Sequence, residues 1–240
     1  MFRKILYLLL SINLFIGYAS DIYNQSNMFS LGIKSGIFIP QNSVIQGYSW
    51  IRYNASGLPT DISAEGFGTG PDSRVYFTYT NNNSGLAVMI EFGFISMISN
   101  RIDFALAPDG ERESYENRMF IMPVTLSSLY KINLKEKKFI LYTGFGFSLN
   151  LSEWESKHSY YITHEYHSDF AKGSSSPVGI HIINGFEYPL YHSITISFEF
   201  KYSFTQSNWE IKNEDSKEII EYQNLNTGGC SLLIGIGYNF

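Results

Sequence analysis

The stretch Ser193–Thr205, SITISFEFKYSFT, constrains this chain more than any other. Ile194, Ile196, Phe198, Phe200, Tyr202 and Phe204 alternate without a break with Ser193, Thr195, Ser197, Glu199, Lys201, Ser203 and Thr205. A period of two puts the first set on one face of an extended strand and the second on the other, whereas a helix would scatter both around its axis. The run is also long enough for the tilted strand of about 9–11 residues that crosses a bilayer. Glu199 and Lys201 fall in mid-span, so the polar face must meet water or other polar groups. The stretch is predicted to be one stave of a transmembrane β-barrel.

The same alternation recurs along the chain. It predicts strands over Phe29–Ile39, Leu86–Ile95, Arg101–Ala107, Arg118–Lys131, Phe139–Leu151, Val178–Tyr188, Ser193–Thr205 and Gly229–Phe240. The breaks at Ser96–Asn100, Ile132–Lys138 and Pro189–His192 are short. Those at Gln41–Asn83, Pro108–Asn117, Ser152–Pro177 and Gln206–Gly228 are longer and rich in Gly, Ser, Asn or charge. Within the first of these, Val75–Thr80 reads as extended. Eight strands with alternating long and short connections fit an antiparallel up-and-down barrel. Its four outer loops and three inner turns leave both termini on the periplasmic side.

Alternation alone does not say which face points outward, because a soluble barrel alternates too. Volume decides. The apolar faces carry bulky residues and the polar faces are rich in Gly, Ser and Thr, while an eight-stranded barrel is only just wide enough to be filled by side chains. The bulky face therefore belongs outside, where it needs lipid. Aromatic residues make up 17% of the chain, an excess explained by girdles at the two membrane interfaces. The N-terminus reads as a secretory signal peptide over residues 1–19. Arg3 and Lys4 precede the apolar Ile5–Gly17, and Gly17 and Ala19 supply a small-residue cleavage site. Residues 20–240 then form the barrel domain. Losing Arg3 and Lys4 takes the formal charge from −5 to −7, which argues against nucleic acid as a partner. The lone Cys230 rules out an intramolecular disulfide or a thiolate metal cluster.

Three stretches carry a resemblance: FSLGIKSGIFIP (Phe29–Pro40), YTGFGF (Tyr142–Phe147) and the terminal GIGYNF (Gly235–Phe240). Together they resemble the small eight-stranded outer-membrane β-barrel family, of the OmpA transmembrane-domain and opacity-protein type. The likeness implies a bacterial outer-membrane location, with outer-membrane lipid and lipopolysaccharide as surroundings. It also implies that the assembly machinery reads the terminal aromatic, Phe240. The family includes anchors, adhesins and small ligand binders, so the likeness is specific for fold and not for role. Two-domain members carry a peptidoglycan-binding domain after the barrel, and none is expected after Phe240 here.

Four constellations bear on function. A lipid-active enzyme of this size would need His and Ser two apart on one strand, where they share a face. The chain offers only the adjacent pairs His158-Ser159, His167-Ser168 and His192-Ser193, so no catalytic residue is assigned and a non-enzymatic protein is expected. His158, His164, His167 and Asp169 have metal-ligand chemistry but read as a solvated loop, and no metal or cofactor is expected. On the polar faces, Lys34, Glu91, Arg101, Asp103, His181, Glu187, Glu199 and Lys201 are predicted to form a lumen charge network that plugs the bore. The fourth is a set of aromatics in the first long loop: Tyr48, Trp50, Tyr53, Phe67, Tyr76 and Tyr79. It is a candidate surface for an extracellular ligand. The expected role is a barrel that displays its loops for surface binding or serves as a structural membrane component. The alternatives are a small channel or hydrophobic-ligand transporter and, third, a lipid-modifying enzyme.

Overall fold

A strand with one apolar and one polar face leaves both backbone edges open, and a closed ladder satisfies them all. The computed structural model describes residues 27–41, 52–53, 59–60, 67–104, 112–134, 139–162, 165–191, 193–213 and 219–240. Among these the strands are β1 (Asn27–Pro40), β2 (Arg52–Tyr53), β3 (Pro59–Thr60), β4 (Gly70–Asn81), β5 (Leu86–Phe104), β6 (Arg112–Leu134) and β7 (Phe139–Ile162). They continue as β8 (Glu165–Ser175), β9 (Val178–Tyr191), β10 (Ile194–Phe204), β11 (Gln206–Asn213), β12 (Ile219–Asn226) and β13 (Gly229–Asn239). Eight of them close a barrel in the order β1-β4-β5-β6-β7-β9-β10-β13 and back to β1, every pair antiparallel. The seam between the first and last strands is in register from Ser30↔Asn239 to Pro40↔Gly229. Phe29 and Phe240 lock its end by exchanging backbone hydrogen bonds of 3.2 and 2.9 Å.

The outward positions form a continuous apolar belt. Leu31, Ile33, Val75, Val88, Leu126, Phe145, Phe147, Ile180, Phe198, Ile234 and Ile236 are all exposed. A belt of this extent far exceeds the few hundred Å² of apolar patch that a soluble monomer tolerates, so its natural solvent is hydrocarbon. The closed ladder supplies the other requirement, a backbone with no unpaired edge. Aromatic rings gather where the termini and tight turns lie. Phe29 packs against Tyr79 at 5.1 Å and against Phe240 at 6.4 Å, and Phe139 against Tyr188 at 5.3 Å.

The structure corrects three boundaries. The second stave is Gly70–Asn81, inside the stretch expected to be the first long loop. Its inward face carries Asp72, Arg74, Tyr76, Thr78 and Thr80, and its outward face carries Ser73, Val75, Phe77 and Tyr79. With tyrosine on both faces and serine among the outward residues, the period-two contrast is weak. Conversely, Leu86–Ile95 and Arg101–Ala107 are not two staves. Strand β5 runs unbroken to Phe104, and its partner β6 stays in register through Asn100↔Glu116. Ser96–Asn100 is therefore no turn: β5 becomes polar there as it leaves the apolar belt. The inner turn is instead Asn82–Gly85, where the Asn81 side chain accepts from the Asn83 and Ser84 amides (3.1 and 3.2 Å) and Gly85 takes φ 71°. The two misplacements offset each other, so the count of eight and the alternation of long and short connections both stand.

The third correction concerns the long connections expected at Ser152–Pro177 and Gln206–Gly228, which are largely strand rather than loop among the described residues. Strands β5, β6 and β7 have 19, 23 and 24 residues, well beyond the length of about 9–11 that crosses a bilayer. Above the belt β7 pairs with β8, which pairs with β11, which pairs with β12. The barrel wall thus continues outward as a sheet. The first nineteen residues lie outside the described part of the chain.

Candidate functional site

Each stave sends its inward residues into the lumen, and β5 and β6 show how they are layered. From the turn end outward, β5 contributes Ala87 and Met89, then Glu91, then Ile95 and Met97. In step with it, β6 contributes Leu129, then Ser127 and Thr125, then Ile121 and Met119. The lumen therefore has a polar middle between two apolar layers. The expectation that bulky residues belong outside and small ones inside is corrected here. Large apolar side chains fill the bore on both sides of the polar middle, as they fill any core.

The middle layer is centred on Glu91, which is 0% exposed. It takes an ion pair from Lys34 at 3.1 Å, another from Lys201, a hydrogen bond from Thr125 Oγ1 at 2.9 Å, and has Arg74 at 3.9 Å. Glu199 receives Lys34 Nζ at 2.5 Å and the Tyr142 hydroxyl at 3.1 Å, with Lys201 at 3.6 Å. Asp72 holds Arg74 by two bonds of 2.9 and 2.8 Å and accepts from Ser231 Oγ at 2.6 Å. Lys34 also lies 4.5 Å from the centre of the Tyr76 ring. Three cations (Lys34, Arg74, Lys201) thus face three carboxylates (Asp72, Glu91, Glu199), all buried. That balance is the condition under which buried charges are tolerated. Nearer the turns, Lys131 pairs with Glu187 at 2.9 Å.

The outer apolar layer gathers Phe38, Phe67, Ile95, Met97, Met119, Ile121, Trp154 and Trp209. The turn-side layer gathers Tyr76, Ala87, Met89, Leu129, Tyr142 and Ile183. Where the middle and outer layers meet, Arg74, Thr125, Asn150, Phe38, Ile95 and Ile121 surround a void of about 10 Å³, room for at most one water.

Of the residues expected in the lumen network, the structure brings together Lys34, Glu91, Glu199 and Lys201. It places Glu187 with Lys131, and it sets His181 apart, with Nε2 at 2.9 Å from Ser127 Oγ. Arg101 and Asp103 lie on the extension of β5 beyond the apolar belt, opposite Tyr115 and Glu113, and their side chains are outside the described residues. The sequence reading missed Asp72, Arg74, Thr125, Tyr142 and Ser231. An Asp-x-Arg pair sharing one face was the available signal for the first two. The His181–Ser127 contact joins β9 and β6 over Gly146 of the intervening β7, so a search along single strands misses it. Both side chains are buried.

The expected aromatic loop surface is also corrected where it can be seen. Phe67 is buried in the outer apolar layer. Tyr76 is in the lumen, and Tyr79 is on the outward belt beside Phe29. These side chains follow the stave that contains or adjoins them, so they are not displayed. Tyr48 and Trp50 lie outside the described residues, as does the side chain of Tyr53, whose backbone belongs to β2. The side chains of His158, His164, His167 and Asp169 are likewise outside them, although the backbones of His158 and Asp169 pair across β7 and β8.

No family model and no curated protein matches this chain. Solved structures do. The outer membrane protein OprG from Pseudomonas aeruginosa superposes with a TM-score of 0.56 at 14% identity, covering 91% of this chain and 97% of that one. Neisserial surface protein A gives 0.49 at 11%, covering 90% and 100%, and a major outer membrane protein from Thermus thermophilus gives 0.48 at 12% over the same shares. Only the first likeness is close enough to carry weight, and it speaks to architecture. Taken with the closed eight-strand ladder and the apolar belt, it identifies the fold as that of the small eight-stranded outer-membrane β-barrels.

Proposed function

We propose that the chain is a non-enzymatic bacterial outer-membrane barrel with a sealed bore, both termini periplasmic, whose outer sheet is its working surface. The observation that carries this reading is the filled lumen, with a charge-balanced middle closed above and below by apolar side chains. A bore packed this way gives an ion no continuous wet path. The outer wall is different in kind. There Arg118 pairs with Glu116, Lys172 pairs with Glu155 at 3.2 Å, and these residues with Lys157 and Phe170 line an open recess of about 290 Å³. A charged sheet held above the membrane suits surface contact better than transport.

Single-channel recording on the protein reconstituted in a planar bilayer tests the sealed bore. The expected result is no steady conductance, and a stable ohmic pore would put a channel in its place. Protease added to intact cells tests the orientation. Cuts are expected between β7 and β8 or between β11 and β12, and a cut between β6 and β7 would reverse it.

A further inference from the structure

Among the described residues, the apolar belt is interrupted by a carboxamide that hydrocarbon cannot satisfy. Asn184 is the seventh residue of the fourteen in β9, and its side chain points outward between Ile182 and Phe186. Thr143 on β7 is directly opposite and donates its hydroxyl to Asn184 Oδ1 at 2.9 Å. Ser128 on β6 is diagonal to Thr143, since Ser128 pairs with Phe145 and Tyr130 with Thr143. All three are exposed on the outward face. A serine or threonine hydroxyl can turn back to its own backbone. A carboxamide has two N–H donors and an oxygen with two lone pairs. Thr143 occupies one lone pair, so two donors and one acceptor face lipid that offers no partner. Among the described residues of the belt, no other carboxamide lies so far from a strand end.

Polar groups on a membrane-facing surface mark contacts with other protein. What Asn184 leaves unsatisfied is self-complementary: one amide can give an N–H to the oxygen of another amide and take one back. A two-fold axis passing beside the residue satisfies both copies at once, and such an axis is the commonest symmetry of homo-oligomers. Phe145, Ile182 and Phe200, all exposed around the seam, would form the apolar rim that keeps the reciprocal bonds dry. We propose that two copies of this chain associate within the membrane through the β7–β9 wall, with Asn184 meeting Asn184 across a two-fold axis. This rests on the reading that the belt lies in a bilayer.

Cysteine crosslinking tests the geometry. In a Cys230→Ser background, Asn184→Cys in phosphatidylethanolamine–phosphatidylglycerol vesicles should yield a covalent dimer on oxidation. Val75→Cys, on a stave four strands away in either direction, should yield none. Asn184→Leu should fold normally, judged by its heat-dependent shift on gels, while its association constant measured by energy transfer between labelled copies falls at least tenfold. Equal crosslinking at both positions, or wild-type association of Asn184→Leu, would overturn the proposal, as would a crosslink in native membranes to a different protein instead of to a second copy. Flotation with the vesicles separates the premises. A chain that floats but does not crosslink at 184 defeats the pairing alone, and a chain that does not float defeats the membrane reading with it.

Discussion

The middle and outer layers of the lumen are equally buried and follow opposite rules. In the middle layer the members are charges, and each is tolerable only because the others are present. Removing Glu91 would leave three buried cations, Lys34, Lys201 and Arg74, sharing two carboxylates, Glu199 and Asp72. In the outer layer Met97, Met119, Ile121, Trp154 and their neighbours behave as a hydrophobic core, where a change costs in proportion to the volume removed. A barrel can therefore be sealed in two ways: by a network that is sensitive to the loss of one member, or by packing that degrades gradually.

Equilibrium unfolding in detergent, followed by the heat-dependent gel shift, can break this contrast. The largest effect is expected for Glu91→Leu, a loss of about 3–5 kcal/mol, the usual cost of stranding buried charge. If the layer acts as one unit, Lys34→Met with Glu199→Gln should cost less than Lys34→Met alone. A cost equal to the sum of the single changes would show that the pairs are independent. In the outer layer Met119→Ala should cost about 2–4 kcal/mol and Met119→Leu less than about 1.5 kcal/mol, a graded response that charge removal does not share. Equal losses for the two Met119 variants would erase the distinction.

A smaller effect sharpens the comparison at the seam. A Cβ on Gly237 would lie 2.2 Å from the Tyr76 hydroxyl and 3.1 Å from Thr195 Oγ1. Gly237→Ala should cost about 1–3 kcal/mol by overpacking, partly recovered by Tyr76→Phe. No recovery would place the strain in the backbone instead. The smallest effect belongs to the outer sheet. The Arg118–Glu116 pair is about half exposed, so Arg118→Ala should change stability by less than about 1 kcal/mol. A larger loss would mean that the outer sheet is part of the barrel's stability and not only a surface standing on it.

Much of the fold was legible in the sequence because alternation is a local property. The residues of β1, the first half of β5, β6, β7, β9, β10 and β13 declare their face by their position in the run, and Lys34, Glu91, Glu199 and Lys201 were placed on the inward side on that basis. Legibility failed where the two faces resemble each other. The tyrosines of β4 hid a whole stave, and with it Asp72 and Arg74. The serines of Ser96–Asn100 imitated a turn, although they mark only the height at which β5 leaves the apolar belt.

By itself, then, the sequence determined the period, the bulky outward face and the charge types that reach the lumen, since these follow from side-chain order along one strand; the count of eight came out right only because one missed stave and one split stave cancelled. Only the tertiary structure decided which charges meet. Lys34 is 57 residues from Glu91 and 165 from Glu199, and it touches both because closure and register bring β1, β5 and β10 around one axis. Register is a relation between strands, set by pairing across the whole barrel, and no single strand carries it.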